Sequence, residues 1–188
     1  MEKPVGCRFC ELYEGRNNIV WERSKGNPDI IFVGEAPGEQ EDIQGIPFIG
    51  SSGKILDAAL DYAKIDNYVI TNLVKCRPPH NRKPSAYECT MCGYYLDDQI
   101  EEYKPKLIVC LGATSLDYFF KGNSRKITVM TKETTESGAF LEKNGNKFVA
   151  VFHPSYVLRG GMAYLDYYEL FVKIKEILNV VNCRSCCN

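Results

Sequence analysis

Four short apolar runs limit what this chain can fold into: Ile30-Ile31-Phe32-Val33, Tyr68-Val69-Ile70-Thr71-Asn72 with Leu73-Val74, Leu107-Ile108-Val109-Cys110-Leu111-Gly112, and Phe148-Val149-Ala150-Val151-Phe152. They are continuous rather than alternating and too short for helices, the pattern of strands buried on both faces of a parallel sheet. Helical spacing lies between them. Ile55, Leu56, Ala59, Leu60 and Ala63 repeat along one face from Lys54 onward, and Ser85-Ala86-Tyr87-Glu88 has the form of a capping box opening a helix that runs to about Tyr103. Further helices are expected over Ala113 to Phe120 and Met162 to Leu178. Ile127-Thr128-Val129-Met130 and Ala139-Phe140-Leu141 alternate like strands, with a turn at Asn144-Gly145-Asn146. Strands alternating with helices imply an α/β fold with a largely parallel sheet. At 188 residues a single domain spanning the whole chain is expected, its end from residue 179 forming a mobile, Cys-rich tail.

The unusual residues cluster where these runs end. After the first comes Gly34-Glu35-Ala36-Pro37-Gly38-Glu39-Gln40-Glu41-Asp42, then Gly45-Ile46-Pro47-Phe48-Ile49-Gly50. Glycines and prolines at this density bend the backbone tightly more than once, and a mere connection does not need the accompanying acids and aromatic ring. The stretch lacks both GxGxxG and the Lys-Ser/Thr ending of a Walker loop, so neither common phosphate cradle is present. Asn72 closes the second run, Gly112 the third, and His153 follows the fourth. In open parallel sheets ligands bind beyond the carboxyl ends of the strands, so four separate segments deliver polar residues to one edge. Taken singly, Phe48 reads as core, Asn72 as a turn residue, Cys110 as packing, and Glu39 and Asp42 as solvated surface.

Charge and cysteines narrow the function further. A formal net charge of −1 excludes a uniformly basic nucleic-acid binder but leaves room for a local basic groove. One candidate is Lys75-Cys76-Arg77-Pro78-Pro79-His80-Asn81-Arg82-Lys83-Pro84, with four cationic side chains, three prolines and no acid. No apolar segment approaches a membrane span and no secretory pattern opens the chain, so a cytoplasmic protein is expected. Nine cysteines, an odd number in such a chain, argue for metal ligation or free thiols over disulfides. Chemistry alone leaves Cys7, Cys10, Cys76 and Cys92 open between a structural zinc and an iron–sulfur cluster.

In order along the chain, Gly34-Glu35-Ala36-Pro37-Gly38 with Glu41-Asp42, Pro47-Phe48-Ile49-Gly50, Thr71-Asn72 to Lys75-Cys76-Arg77-Pro78-Pro79 with Asn81-Arg82, and His153-Pro154-Ser155 with Leu158-Arg159 resemble the family 4, iron–sulfur branch of the uracil-DNA glycosylase superfamily. The resemblance extends from Cys7 to about Leu178 and implies an α/β/α sandwich around a four-stranded, largely parallel sheet. It implies a repair enzyme, here expected as a monomer, acting on uracil-containing DNA. Phe48 would stack on the flipped uracil beside Gly34, Asn72 would read its polar edge, and His153 would donate to a uracil oxygen. Glu35 and Glu41 match the family's acidic positions, with their division of labour open. Lys75, Arg77, Arg82, Lys83, Ser155 and Arg159 would face DNA. Cys7, Cys10, Cys76 and Cys92 would hold a [4Fe–4S] cluster, with Cys89, one helical turn earlier, the rival fourth ligand.

Two departures keep other functions in view. Cys183, Cys186 and Cys187 lie outside the family pattern, and His80 stands in a loop where a related branch traps uracil-DNA covalently. The short loop and Ala36 favour turnover. The alternatives are a covalent trap through His80 and a non-catalytic nucleic-acid-binding module of the same fold.

Overall fold

A computed structural model describes residues 3–121 and 126–185. Its centre is a six-stranded sheet of β1 (Glu22–Lys25), β2 (Ile30–Gly34), β3 (Tyr68–Asn72), β4 (Leu107–Leu111), β5 (Leu141–Lys143) and β6 (Asn146–Val151), in the order β1-β3-β2-β4-β6-β5. The four inner strands run parallel and correspond to the four apolar runs, while β1 and β5 pair antiparallel at the two edges. The expected four-stranded sheet is therefore corrected to six. Strand β1, Glu22-Arg23-Ser24-Lys25, has no apolar alternation because it is a half-exposed edge, where charged side chains discourage pairing with other chains.

Successive residues of the inner strands point to opposite faces. Ile30, Phe32, Ile70, Val109 and Val149 pack against Leu56 and Leu60 of α2 (Ser51–Tyr62) and Tyr167, Phe171 and Ile174 of α7 (Tyr164–Ser185). On the other face Ile31, Val33, Val69, Ile108 and Ala150 meet Leu96 and Ile100 of α3 (Ala86–Tyr103), Leu116 of α4 (Ala113–Phe119) and Met130 of α5 (Ile127–Ser137). The start of α3 is capped as its sequence requires: Ser85 Oγ accepts from Glu88 N, and Ser85 N donates to the Glu88 carboxylate.

Two segments depart from expectation. Ile127 to Met130 form the start of helix α5, not a strand; the β-branched residues there favour extension, but Met130, Thr131 and Thr134 share one buried helical face, and tertiary packing overrides propensity. Helix α7 continues through residue 185 rather than ending at Leu178, because Val181 is still fully buried against the sheet. Cys183 is exposed on this helix, and Cys186 and Cys187 lie outside the described residues.

Two short helices complete the carboxyl edge of the sheet: α1 (Glu39–Gln44) after β2, and α6 (Pro154–Leu158) after β6. No described helix is long and apolar enough to cross a membrane.

Candidate active site

The four inner strands point their carboxyl ends the same way, so Glu35, Asn72, Gly112 and His153 arrive at one edge. They open into a cavity of about 600 Å3, lined also by Phe48, Asn81, Arg82, Thr114, Ser155 and Arg159. Gly34 and Asn72 are register partners across β2 and β3. A Cβ on Gly34 would stand 2.3 Å from Asn72 Oδ1 and 2.5 Å from Phe48 Cζ, so the wall forms only with glycine there. Asn72 is 1% exposed, and its Oδ1 is buried without a hydrogen-bond partner. Buried polar atoms are nearly always paired, so this oxygen at the cavity wall is free to accept a hydrogen bond.

Phe48 is also buried, in a left-handed backbone conformation (φ 53°) that costs a non-glycine residue on the order of 1–3 kcal/mol. Its ring lies 5.7 Å from that of His153, centroid to centroid, tilted by 38°. The strained turn is held by Glu41, whose carboxylate accepts from Gly38 N (3.1 Å), Ile49 N (3.0 Å) and Gly50 N (2.8 Å). Glu41 thus pins both ends of the loop that carries Phe48. Glu35 has different company: the Thr114 hydroxyl donates to its Oε2. Asp42, expected on the surface, is instead 1% exposed and accepts from Asn17 N (3.0 Å), Asn17 Nδ2 (2.6 Å) and Asn18 N (3.2 Å), tying the N-terminal segment to α1. Glu39 is exposed and pairs with Arg77 at 3.3 Å.

His153 caps α6. Its Nδ1 accepts from Ser155 N at 3.2 Å and lies 2.9 Å from Ser155 Oγ, which in turn accepts from Arg159 Nη1 at 3.0 Å. Because Nδ1 serves as acceptor, the ring proton of the neutral imidazole sits on Nε2. Burial, reinforced by the Arg159 charge and only partly offset by Glu41, lowers the His153 pKa to about 4. The ring is a neutral hydrogen-bond donor at physiological pH.

The basic loop is less free than its composition implies. Lys75, expected to face DNA, is 1% exposed, and its ammonium is consumed inside the protein by Thr71, Asn72 and Gln99. The acids missing from the loop come from elsewhere. Arg82 forks onto both oxygens of Glu88, which holds the Glu88 carboxyl down at about 2, and Arg77 donates to Asn81 Oδ1 and Glu39. Arg82 still borders the cavity, whereas Arg77 and Lys83 do not. Arg82, Lys83 and Arg159 are all exposed, and Arg82 and Arg159 line the cavity. His80 is exposed, has φ 53°, and is absent from the cavity lining.

Away from this cavity, Cys7, Cys10, Cys76 and Cys92 line one small space with Phe9, Arg16, Val74, Met91 and Tyr95. Cys76 Sγ accepts from Arg16 Nη1 at 3.3 Å and Cys92 Sγ from Lys75 N at 3.2 Å, donors of the kind that stabilise thiolates. Burial raises the Cys10, Cys76 and Cys92 thiols, the last to about 12. Cys89 is buried but outside this space; the charged groups around it are Glu35, Glu88, Lys83 and Lys121. Cys110 is fully buried in β4, with its thiol raised by burial alone.

Sequence reasoning missed Thr114. The signal was available, since Gly112-Ala113-Thr114 leaves a third strand end as Glu35 leaves the first, but nothing local tells which hydroxyl meets which acid.

A family model described as the uracil DNA glycosylase superfamily matches residues 22–179. Among curated relatives, the type-4 uracil-DNA glycosylase of Sulfurisphaera tokodaii is 38% identical over 182 residues, covering 94% of this chain and 82% of that protein. That of Thermotoga maritima is 41% identical over 160 residues (84% and 81%), and that of Archaeoglobus fulgidus 36% over 178 residues (92% and 88%). With the family model spanning most of the chain and these identities sustained over nearly its full length, the chain belongs to the type-4 uracil-DNA glycosylases of the uracil-DNA glycosylase superfamily.

Proposed function

We propose that this protein excises uracil from DNA, hydrolysing the N-glycosidic bond to leave free uracil and an abasic site. The observation that carries the reading is the buried, unpartnered amide oxygen of Asn72 facing the same cavity as the Phe48 ring and the neutral imidazole of His153. A flipped base supplies what each lacks. Asn72 offers an acceptor and a donor, matching uracil's N3–H and O4, whereas cytosine presents the reverse pair and leaves both unsatisfied. Stacking on Phe48 contributes roughly 1–3 kcal/mol.

As the bond between the sugar and the base nitrogen breaks, its electron pair leaves with uracil and positive character grows on the sugar. His153 Nε2–H donates to a uracil oxygen as that negative charge develops; a preorganised donor of this kind is worth about 2.7–4 kcal/mol. Neutrality suits the role, because the proton is shared with the leaving anion and need not be transferred. Water adds to the sugar carbon, and the proton it gives up ends on the departing uracil anion, leaving neutral uracil and an abasic sugar. Of the two glutamates, Glu35 is the better candidate to orient that water, since Glu41 already accepts from three backbone amides. Glu41 then acts by positioning Phe48. Lys83, Arg159, Ser155 and the partly paired Arg77 and Arg82 are the candidates for phosphate contact, which positions the duplex without reading sequence.

Cys7, Cys10, Cys76 and Cys92 are suited to hold a [4Fe–4S] cluster. Their four thiols border one common space, and four cysteine thiolates are the ligand set such a cluster takes. When bound, the cluster would supply a structural crosslink, fastening the N-terminal segment to the loop after β3 and to α3.

The test is incubation of the purified protein with uracil-containing single- and double-stranded oligonucleotides. Free uracil and alkali-labile abasic sites are expected. Salt-dependent binding with no released uracil would favour the non-catalytic module instead. The His80 trap is disfavoured by that residue's absence from the cavity lining, and it requires an adduct that survives denaturation.

A further inference from the structure

We infer that Lys75 is a positioning residue for base recognition, acting through the main chain of Asn72; the inference rests on the uracil-excising reading. Its ammonium donates to Asn72 O (2.6 Å), Thr71 Oγ1 (2.7 Å) and Gln99 Oε1 (2.6 Å), and lies 5.3 Å from the centre of the Trp21 ring. A lysine has three N–H bonds, and all three are used. Gln99 is held in turn by Glu22, which also accepts from Tyr103. A polar chain therefore runs from the edge strand β1, through α3, to the last residue of β3.

Burying an ammonium is expensive, and an apolar side chain of the same length often serves stability better. What the charge provides here is a fixed carbonyl at Asn72. The need is specific to this residue, because Asn72 Oδ1 has no partner in the protein and hydrogen bonding to that oxygen does not orient the amide. With no hydrogen bond to its oxygen and Gly34 close against it, the amide takes its aim from its own backbone. A recognition group loosened by about 1 Å can cost on the order of 100-fold in rate.

The test is a double-mutant cycle. Single-turnover uracil release is measured for wild type, Lys75→Met, Asn72→Ala and the double variant, with metal content and melting temperature recorded for each. Lys75→Met is expected to slow excision on the order of 10- to 100-fold. In the Asn72→Ala background the same substitution should change the rate by less than about twofold, since the group it positions is gone. Equal losses in both backgrounds would make Lys75 a general stabiliser and overturn the inference, as would no loss in either. Gln99→Met, which removes one of the three acceptors, should show a smaller loss with the same dependence on Asn72. It carries the test if Lys75→Met does not fold, and independence from Asn72 there would equally overturn the proposal. A wild-type chain that released no uracil would instead remove the reading on which the inference rests.

Discussion

Gly34 shows how little space the recognition wall leaves. An alanine methyl there would enter both the Asn72 amide and the Phe48 ring, and neither can retreat, one being the end of a strand and the other fixed in a left-handed turn. Gly34→Ala should therefore abolish most uracil release while destabilising the fold by about 1–3 kcal/mol, the usual range for overpacking. Activity within twofold of wild type would mean the base does not lie against this wall. The gathering of Glu35, Asn72 and His153 at one edge was legible because a parallel sheet gathers its strand ends and each stands at the end of an apolar run. The roles of Glu35 and Glu41 were not. Both are acids in one loop, and only the three amides aimed at Glu41 separate them. Lys75 was misread for a similar reason: Trp21 and Gln99, which bury it, come from distant segments.

Among the elements, α3 links the rim of the cavity to the separate cysteine cluster. Its first turn holds Glu88, which anchors Arg82 of the basic loop, and its second turn brings Cys92 to Cys7, Cys10 and Cys76. The capping box made the start of α3 readable. Cys89 and Cys92 share one helical face about a turn apart, and only Cys92 reaches the space of the other three cysteines, a distinction spacing alone does not resolve. Cys92→Ser should release bound iron and acid-labile sulfide and lower the melting temperature, whereas Cys89→Ser should retain both. Zinc in place of iron, or loss of iron only on Cys89→Ser, would contradict this ligand set. The edge strand β1 and helix α5 were illegible for opposite reasons. One hides strand pairing behind charged residues, and the other hides a helix behind β-branched ones.

At the scale of the molecule, two apolar layers flank the sheet, and the polar machinery sits where neither layer covers it. That placement sets an acid sensitivity. The His153 pKa falls from 6.5 unfolded to about 4 folded, so as pH drops below 6.5 the unfolded chain takes up a proton that the folded chain refuses. Stability should decline across that interval. Glu88, lowered from 4.5 to about 2, adds stability that is complete above 4.5 and is lost as pH falls toward 2. Urea midpoints should thus decrease from pH 6.5 to 4.5 in wild type and stay level over that range in His153→Gln; identical profiles would show that His153 is not held neutral by the fold. The whole-chain architecture was readable from strand alternation, while the coupling of its parts depended on contacts between distant segments. The most direct measurement is single-turnover excision from a uracil-containing oligonucleotide by wild type, His153→Ala and Asn72→Ala. Wild type should release uracil, and each variant should slow by about 100-fold or more, the cost of removing a preorganised donor or reader, with the melting temperature little changed. Rates matching wild type in both variants would contradict the assignment of this cavity as the site of base recognition and bond cleavage.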